Sequence, residues 1–290
     1  MRLATAGTRY VRRAAKLAGF GALTLFSLTT PLAVNAAPLC ERIVATGNPQ
    51  YPPLLWVDPT DEKRLIGAGA ELLEKALAQS NIKLDMLNVG PWSRAQEEVR
   101  SGRVDMLAGA FLTRQRLGYM DYIHPAYAEV PSVIFVRSEG IFPYSGWDDL
   151  RGKTGSTVLN NSFGNRFDRF AADNLQIEPV PSIEQSFQKL LRGRADYVVY
   201  ERYQGISIAQ QMGIADKLET LDGSLMTEQL FLTLSHNSAC NSPDLRAALA
   251  QAMFDLSRTG VPQQLLEKYR EVWALQMVTS GAVPGPVINE

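Results

Sequence analysis

A four-residue phrase occurs twice in this chain, ninety-one residues apart, as Gly102-Arg103-Val104-Asp105 and Gly193-Arg194-Ala195-Asp196. Each copy follows a helical stretch, Ser93 to Arg100 in the first case and Ile183 to Leu191 in the second. Glycine just past a helix end takes the left-handed cap at little cost. Each copy then opens a short apolar strand, Val104 to Ala108 and Ala195 to Tyr200. Helix, glycine stop and buried strand, stated twice, point to two α/β lobes of similar plan, with a chance recurrence of four positions as the alternative.

The remaining pattern extends that plan. Glu41 to Ala45 starts as a strand, and Pro49, Pro52 and Pro53 then predict an extended loop. From Gly69 the spacing of Leu72, Leu73, Ala76 and Leu77 predicts a helix, and alternation over Lys83 to Val89 predicts a half-buried strand. Strands are also expected at Ser132 to Val136 and Gln229 to Leu234. The stripe Leu245, Leu249, Met253, Leu256 marks a helix that Gly260 ends, and a last helix is expected from Pro262 to Trp273. If the chain crosses between lobes at the two isolated strands, residues 37–132 and 231–275 form the first lobe. Residues 133–230 then form an inserted second lobe, and 276–290 a loose tail.

The first 36 residues differ from the rest. Arg2, Arg9, Arg12, Arg13 and Lys16 precede every acidic residue, an apolar run covers Leu17 to Val34, and Val34-Asn35-Ala36 supplies the small residues a signal peptidase needs. This is the layout of a secretory leader, with cleavage expected after Ala36 and a periplasmic destination. The run is short and broken for a bilayer span of about 20 apolar residues. Leu39 stands before Cys40 where lipid attachment needs a small residue, so no acyl anchor is expected. Loss of the five leader cations takes the net charge from −1 to −6 over the remaining 254 residues. An acidic chain without basic clusters is a poor partner for nucleic acid or anionic membrane. Cys40 and Cys240 are either two free thiols or, as an oxidising compartment favours, one disulfide pinning the start of the exported chain to its C-terminal segment.

Several short marks follow one another in a telling order. They are Tyr51-Pro52-Pro53, Leu65 to Leu72, the first doubled phrase, Thr113-Arg114-Gln115-Arg116, Pro125-Ala126-Tyr127, Asp149-Leu150-Arg151-Gly152-Lys153, and the second phrase with Glu201 beyond it. By that order and spacing the chain, from about Ile43 to Trp273, resembles the family 3 solute-binding proteins, the periplasmic receptors of polar amino-acid ABC transporters. The resemblance implies an α/β, two-lobed periplasmic-binding-protein fold of type II, its lobes joined by two crossing strands. It further implies a small-molecule ligand in the cleft, no cofactor, no metal, no catalytic residue, and a monomer that serves an inner-membrane ABC permease.

Roles follow position by position from the resemblance. Arg116 matches the arginine that takes the ligand carboxylate, a task suited to a bidentate guanidinium fork, and a surface ion pair is its other reading. Thr113 either meets the ligand or caps the short helix carrying Arg116. Tyr51 either lies against the ligand side chain or packs beneath the Pro52-Pro53 loop. Asn161, Ser162 and Phe163 lead into a helix N-terminus whose free N–H groups suit a carboxylate, with an ordinary cap by Ser162 as the alternative. Glu201 stands where the family has an aspartate for the α-amino group, one methylene longer. The stretch Ala108 to Leu112 is one residue short of the family spacing and lacks its hydroxyls, so Phe111 is expected to add an apolar wall. An α-amino acid leads as ligand class, with another carboxylate, an amine or a modified amino acid open.

Other chemistries find little support. The chain has no Gly-x-Ser-x-Gly, no phosphate-binding glycine loop and no metal-spaced histidine pair, and His124 and His236 are isolated. Trp92 fits either the cleft or the core. A dehydratase on the same fold would need a general acid, for which Glu201 is the candidate. A solute sensor acting through a membrane partner is the third class.

Overall fold

The computed structural model describes residues 40–279; the leader with its cleavage site after Ala36, and the last part of the tail, lie outside them. The first half opens with β1 (Arg42–Thr46) and a small antiparallel sheet of β2 (Gln50–Tyr51), β3 (Leu55–Asp58) and β4 (Asp61–Ile66). Next come α1 (Ala68–Ala78), β5 (Lys83–Met86), α2 (Trp92–Arg100) and β6 (Met106–Phe111), with β1 lying parallel between β5 and β6. After β7 (Met120–Arg137) the second half repeats the order as β8 (Thr154–Val158), α3 (Asn165–Asn174), β9 (Gln176–Val180), α4 (Ile183–Leu191) and β10 (Tyr197–Glu201). There β8 lies parallel between β9 and β10. The chain continues through α5 (Arg202–Gln211), β11 (Leu218–Thr220) and β12 (Met226–Ser235), and ends in α6 (Pro243–Arg258) and α7 (Val261–Thr279).

Two long strands join the halves. β7 pairs antiparallel with β12 from Met120 to Ser132, then with β10 from Ser132 to Phe135, while β12 also borders β6. The result is a continuous path β5-β1-β6-β12-β7-β10-β8-β9. The strand expected at Ser132 to Val136 is thus the far end of an eighteen-residue strand. The proline-rich stretch, expected as a loop, contains β2 and leads into a hairpin. The last helix continues to Thr279, so residues 276–279, assigned above to a loose tail, are helical.

The doubled phrase has one structural job in both halves. Gly102 (φ +77°) and Gly193 (φ +66°) end α2 and α4 in the left-handed region. The Asp105 carboxylate then accepts from Val44 N–H at 2.8 Å, and the Asp196 carboxylate accepts from Thr154 N–H at 2.8 Å. The backbone returns each bond, Asp105 N–H to Val44 C=O at 2.9 Å and Asp196 N–H to Thr154 C=O at 2.7 Å. Each aspartate therefore clamps the third strand of its lobe to the first.

Local chemistry explains the elements. Leu72, Leu73, Ala76 and Leu77 of α1 are buried, and burying each leucine contributes about 1.5–3 kcal/mol. Gly67 precedes that helix at φ +136°, where a Cβ would lie 2.4 Å from Leu54 C=O, so only glycine fits. Ser182 and Ser242 cap α4 and α6 by accepting from the N–H of Gln185 and Leu245, and Pro243 fills the first turn of α6. The Cys40–Cys240 disulfide forms, Cα to Cα 5.3 Å, and both cysteines pack against the core of the first lobe.

Candidate functional site

The third parallel strand of each lobe, β6 and β10, ends at the same place, beneath a narrow cavity of about 20 Å³ that is partly open to solvent. Phe111, the last residue of β6, and Glu201, the last of β10, both line it. Asn48, just past β1, and Asn161, just past β8, line it as well. The carboxyl ends of parallel strands are where open α/β sheets hold their ligands, because the chain leaves the sheet there and exposes unpaired groups. Leu54, Leu55 and Tyr127 of the first lobe, with Leu230 of the joining strand β12, add a largely apolar wall. Tyr51, Trp92 and Arg116 complete the ring.

Arg116 is 3 % exposed, which removes the surface ion-pair reading. Its guanidinium donates through Nε to Gln96 Oε1 (3.3 Å), through Nη1 to Phe111 C=O (3.1 Å) and through Nη2 to Asn160 C=O (3.3 Å). It also lies 5.2 Å from the Trp92 ring, within cation–π range. The bond to Asn160 crosses from the first lobe to the second. Gln96 Nε2 crosses beside it to the same carbonyl at 3.1 Å. Asn48 Nδ2 donates to the Tyr200 hydroxyl at 3.2 Å, which in turn donates to Gln50 C=O at 3.3 Å.

Among the described residues Glu201 is the one carboxylate on the cavity wall. Burial pushes its carboxyl up from 4.5 to about 7, against hydrogen bonds from its own N–H, from Asn161 and from Tyr51, and against the Arg116 charge. Asn161 Nδ2 donates to Glu201 Oε1 at 3.1 Å. Burial also raises Tyr51 well above the usual phenol range, with the nearby Glu201 charge adding to it, so the hydroxyl keeps its proton.

The shift has a definite sign. A carboxyl whose folded pKa lies above its unfolded one binds the extra proton in the native state, so its contribution falls as pH rises from about 4.5 to about 7 and is constant above. The loss is of order 3 kcal/mol, taking about 1.4 kcal/mol per pKa unit. Glu201→Gln keeps the shape without the titration. The expected result is that wild type, measured by denaturant unfolding at pH 5 and pH 8, weakens relative to Glu201→Gln at the higher pH. A constant difference across that interval would refute the assignment.

Of the residues expected at the site, the structure brings Tyr51, Phe111, Arg116, Asn161 and Glu201 to one cavity. Three stand back from it. Thr113 is buried and its hydroxyl accepts from Arg116 N–H at 3.2 Å, the capping alternative. Phe163 is packed with Phe167 in the core of the second lobe. The Ser162 hydroxyl donates to the Asp168 carboxylate and accepts from Gly164 N–H, while Gly164 occupies the N-cap of α3. Asp168 Oδ1 also takes Phe163 N–H at 2.9 Å, so this N–H, expected to be free, is already paired.

Trp92 proves to serve both of its possible roles, lining the cavity and packing in the core with Ala95 and Val99. Sequence reasoning missed Asn48, Gln96 and, beyond Phe111, the apolar wall of Leu54, Leu55, Tyr127 and Leu230. Asn48 carried a usable signal, its place just beyond a first strand; Gln96 carried none, because it acts through Arg116. Among the described residues no group of three or more His, Cys, Asp or Glu is placed to hold a metal, and no helix is long and apolar enough to cross a membrane.

The family model described as bacterial extracellular solute-binding proteins, family 3, matches residues 43–272. No curated protein matches. Among solved structures, a P235GK mutant of ArgBP from T. maritima aligns with TM-score 0.67 at 19 % identity, covering 80 % of this chain and 96 % of that one. An amino acid ABC transporter substrate-binding protein, AbpA from Streptococcus pneumoniae bound to L-arginine, aligns with TM-score 0.67 at 18 % identity, covering 80 % and 96 %. A histidine kinase sensor domain with similarity to periplasmic binding proteins aligns with TM-score 0.66 at 22 % identity, covering 79 % and 95 %. At such identities these likenesses establish the fold, a two-lobed type II periplasmic-binding-protein fold with its lobes joined by β7 and β12.

Proposed function

The chain belongs to the bacterial extracellular solute-binding proteins, family 3, and from that premise we propose that it captures an amino acid or a related small polar solute between its lobes and delivers it to an ABC transporter. The observation that carries this reading is the pairing of one buried cation and one buried carboxylate, Arg116 and Glu201, on opposite sides of a single interlobe cavity. A zwitterionic head group presents the complementary pair of charges. Arg116 uses three N–H groups within the protein and retains two for a ligand carboxylate, since a guanidinium has five. Glu201 and the Tyr51 hydroxyl receive the ammonium, whose charge favours the ionised carboxylate.

Closure supplies the mechanism. Residues 133–230 form the inserted lobe and turn on β7 and β12 against the lobe formed by 37–132 and 231–275. A ligand that touches both lobes binds the closed arrangement better than the open one and shifts the population by that difference. The leader sends the chain to the periplasm, cleaved after Ala36, where an inner-membrane permease recognises the closed form of a monomer. The amino-acid transport proteins and the L-arginine-bound structure among the neighbours support this class of solute.

The raised carboxyl of Glu201 in an apolar surround favours one second reading, a dehydratase with Glu201 as general acid. A thermal-shift screen of residues 37–290 against amino acids, polyamines, small carboxylates and prephenate tests both, because a ligand that binds only the native state must raise the Tm. A shift with an amino acid that leaves it unconsumed is the expected result. Consumption of prephenate, lost in Glu201→Gln, would replace capture by catalysis, and no shift with any compound would refute both.

A further inference from the structure

The cavity that carries the proposed capture also limits what the far end of its occupant can be. Among the described residues Arg116 and Glu201 are the charged groups that line it, and the capture reading assigns both to the head of a zwitterion. The remaining polar atoms are largely committed. The Tyr127 hydroxyl donates to Ala108 C=O at 2.7 Å, which leaves its ring as an apolar surface. Asn48 is held on both sides, donating to Tyr200 and accepting Gln50 N–H at 3.0 Å, and Asn161 is turned onto Glu201. What remains is one unpaired neutral donor, the Trp92 indole N–H, and the wall of Leu54, Leu55, Phe111, Tyr127 and Leu230, each buried.

That wall is fixed in place. Gly109 sits behind it, and a Cβ there would lie 2.7 Å from the Tyr127 hydroxyl and 3.2 Å from Leu230, so the strand, the ring and the leucine are in close contact. A wall this tightly seated does not turn aside to admit water to a buried charge.

We infer that this site selects solutes with an apolar, uncharged tail, amino acids of the leucine or phenylalanine kind, over basic and acidic ones. The inference rests on the capture reading above and names its substrate class. A guanidinium or second carboxylate carried to that wall would lose its water and find no charged partner, a loss that removes affinity by roughly tenfold or more. An apolar tail gains affinity from the same burial.

Isothermal titration of wild-type residues 37–290 with L-alanine, L-leucine, L-phenylalanine, L-arginine and L-glutamate at pH 7 provides the test. Leucine or phenylalanine is expected to bind more tightly than alanine, and at least about tenfold more tightly than arginine and glutamate. Arginine or glutamate binding as well as the apolar pair, or better, would overturn the inference and leave capture standing. Heat from none of the five, repeated in a thermal-shift assay, would overturn amino-acid capture and the inference together.

Discussion

Replacing Cys40 and Cys240 together by serine is expected to remove about 5 kcal/mol of stability, because the bridge closes a loop of 200 residues in the unfolded chain. For a domain of this size that corresponds to a fall in Tm of roughly 10–20 °C. The effect belongs to the unfolded state: the native contacts around Cys40 and Cys240 are those of two small side chains against the first-lobe core. Denaturant unfolding of the wild type and the double variant, each at equilibrium, measures the difference directly. Wild type in the presence of a reductant should move to the stability of the double variant. A difference below about 1 kcal/mol would mean that the reduced chain keeps the two segments together without help.

The second large effect is expected at Arg116. Arg116→Ala leaves the buried Gln96 Oε1 without its donor, at about 1–3 kcal/mol where water cannot replace it, while Phe111 C=O keeps the Tyr122 hydroxyl and Asn160 C=O keeps Gln96 Nε2. A loss of about 1–3 kcal/mol in stability is expected, together with a dissociation constant for the ligand raised by at least about tenfold, since hydrogen bonds to charged groups contribute about 1.5–3 kcal/mol. Arg116→Lys separates charge from geometry. A point charge cannot reach three oxygens in the plane of a fork, so lysine should recover only a minor part of either loss. The variant also moves a neighbour. With the Arg116 charge gone, Glu201 loses one of the influences that lower its carboxyl, so its pH-dependent step should extend to higher pH. Unchanged stability and affinity in Arg116→Ala would remove Arg116 from the site.

Much of this architecture was legible because its two lobes use the same local chemistry. In both copies of Gly-Arg-x-Asp the glycine takes the expected left-handed cap, while the strand clamp by the aspartate emerged only from the structure. The long strand β7 was harder to read because Pro125 and Pro131 interrupt it. Those prolines lie in the part of β7 that is bordered by β12 alone, where a missing N–H breaks no ladder bond, whereas the interior pairing with β10 begins at Ser132. β4 escaped for a related reason, since Asp61, Glu62, Lys63 and Arg64 are exposed at the edge of the small sheet, where charge is tolerated. At the site, Arg116 and Glu201, expected there by residue type and position, both reach the cavity wall. Leu54, Leu55 and Leu230 were not expected there, because an apolar residue looks the same in sequence whether it faces a core or a cavity.

The matched strand ends have one more consequence. Asn48 and Asn161 stand at equivalent posts on the two lobes, and so do Phe111 and Glu201, but the last pair is an aromatic ring on one side and an acid on the other. A frame with near-twofold likeness would accept an elongated guest either way round. Placing the acid on a single post breaks that equivalence and gives the cavity a polarity.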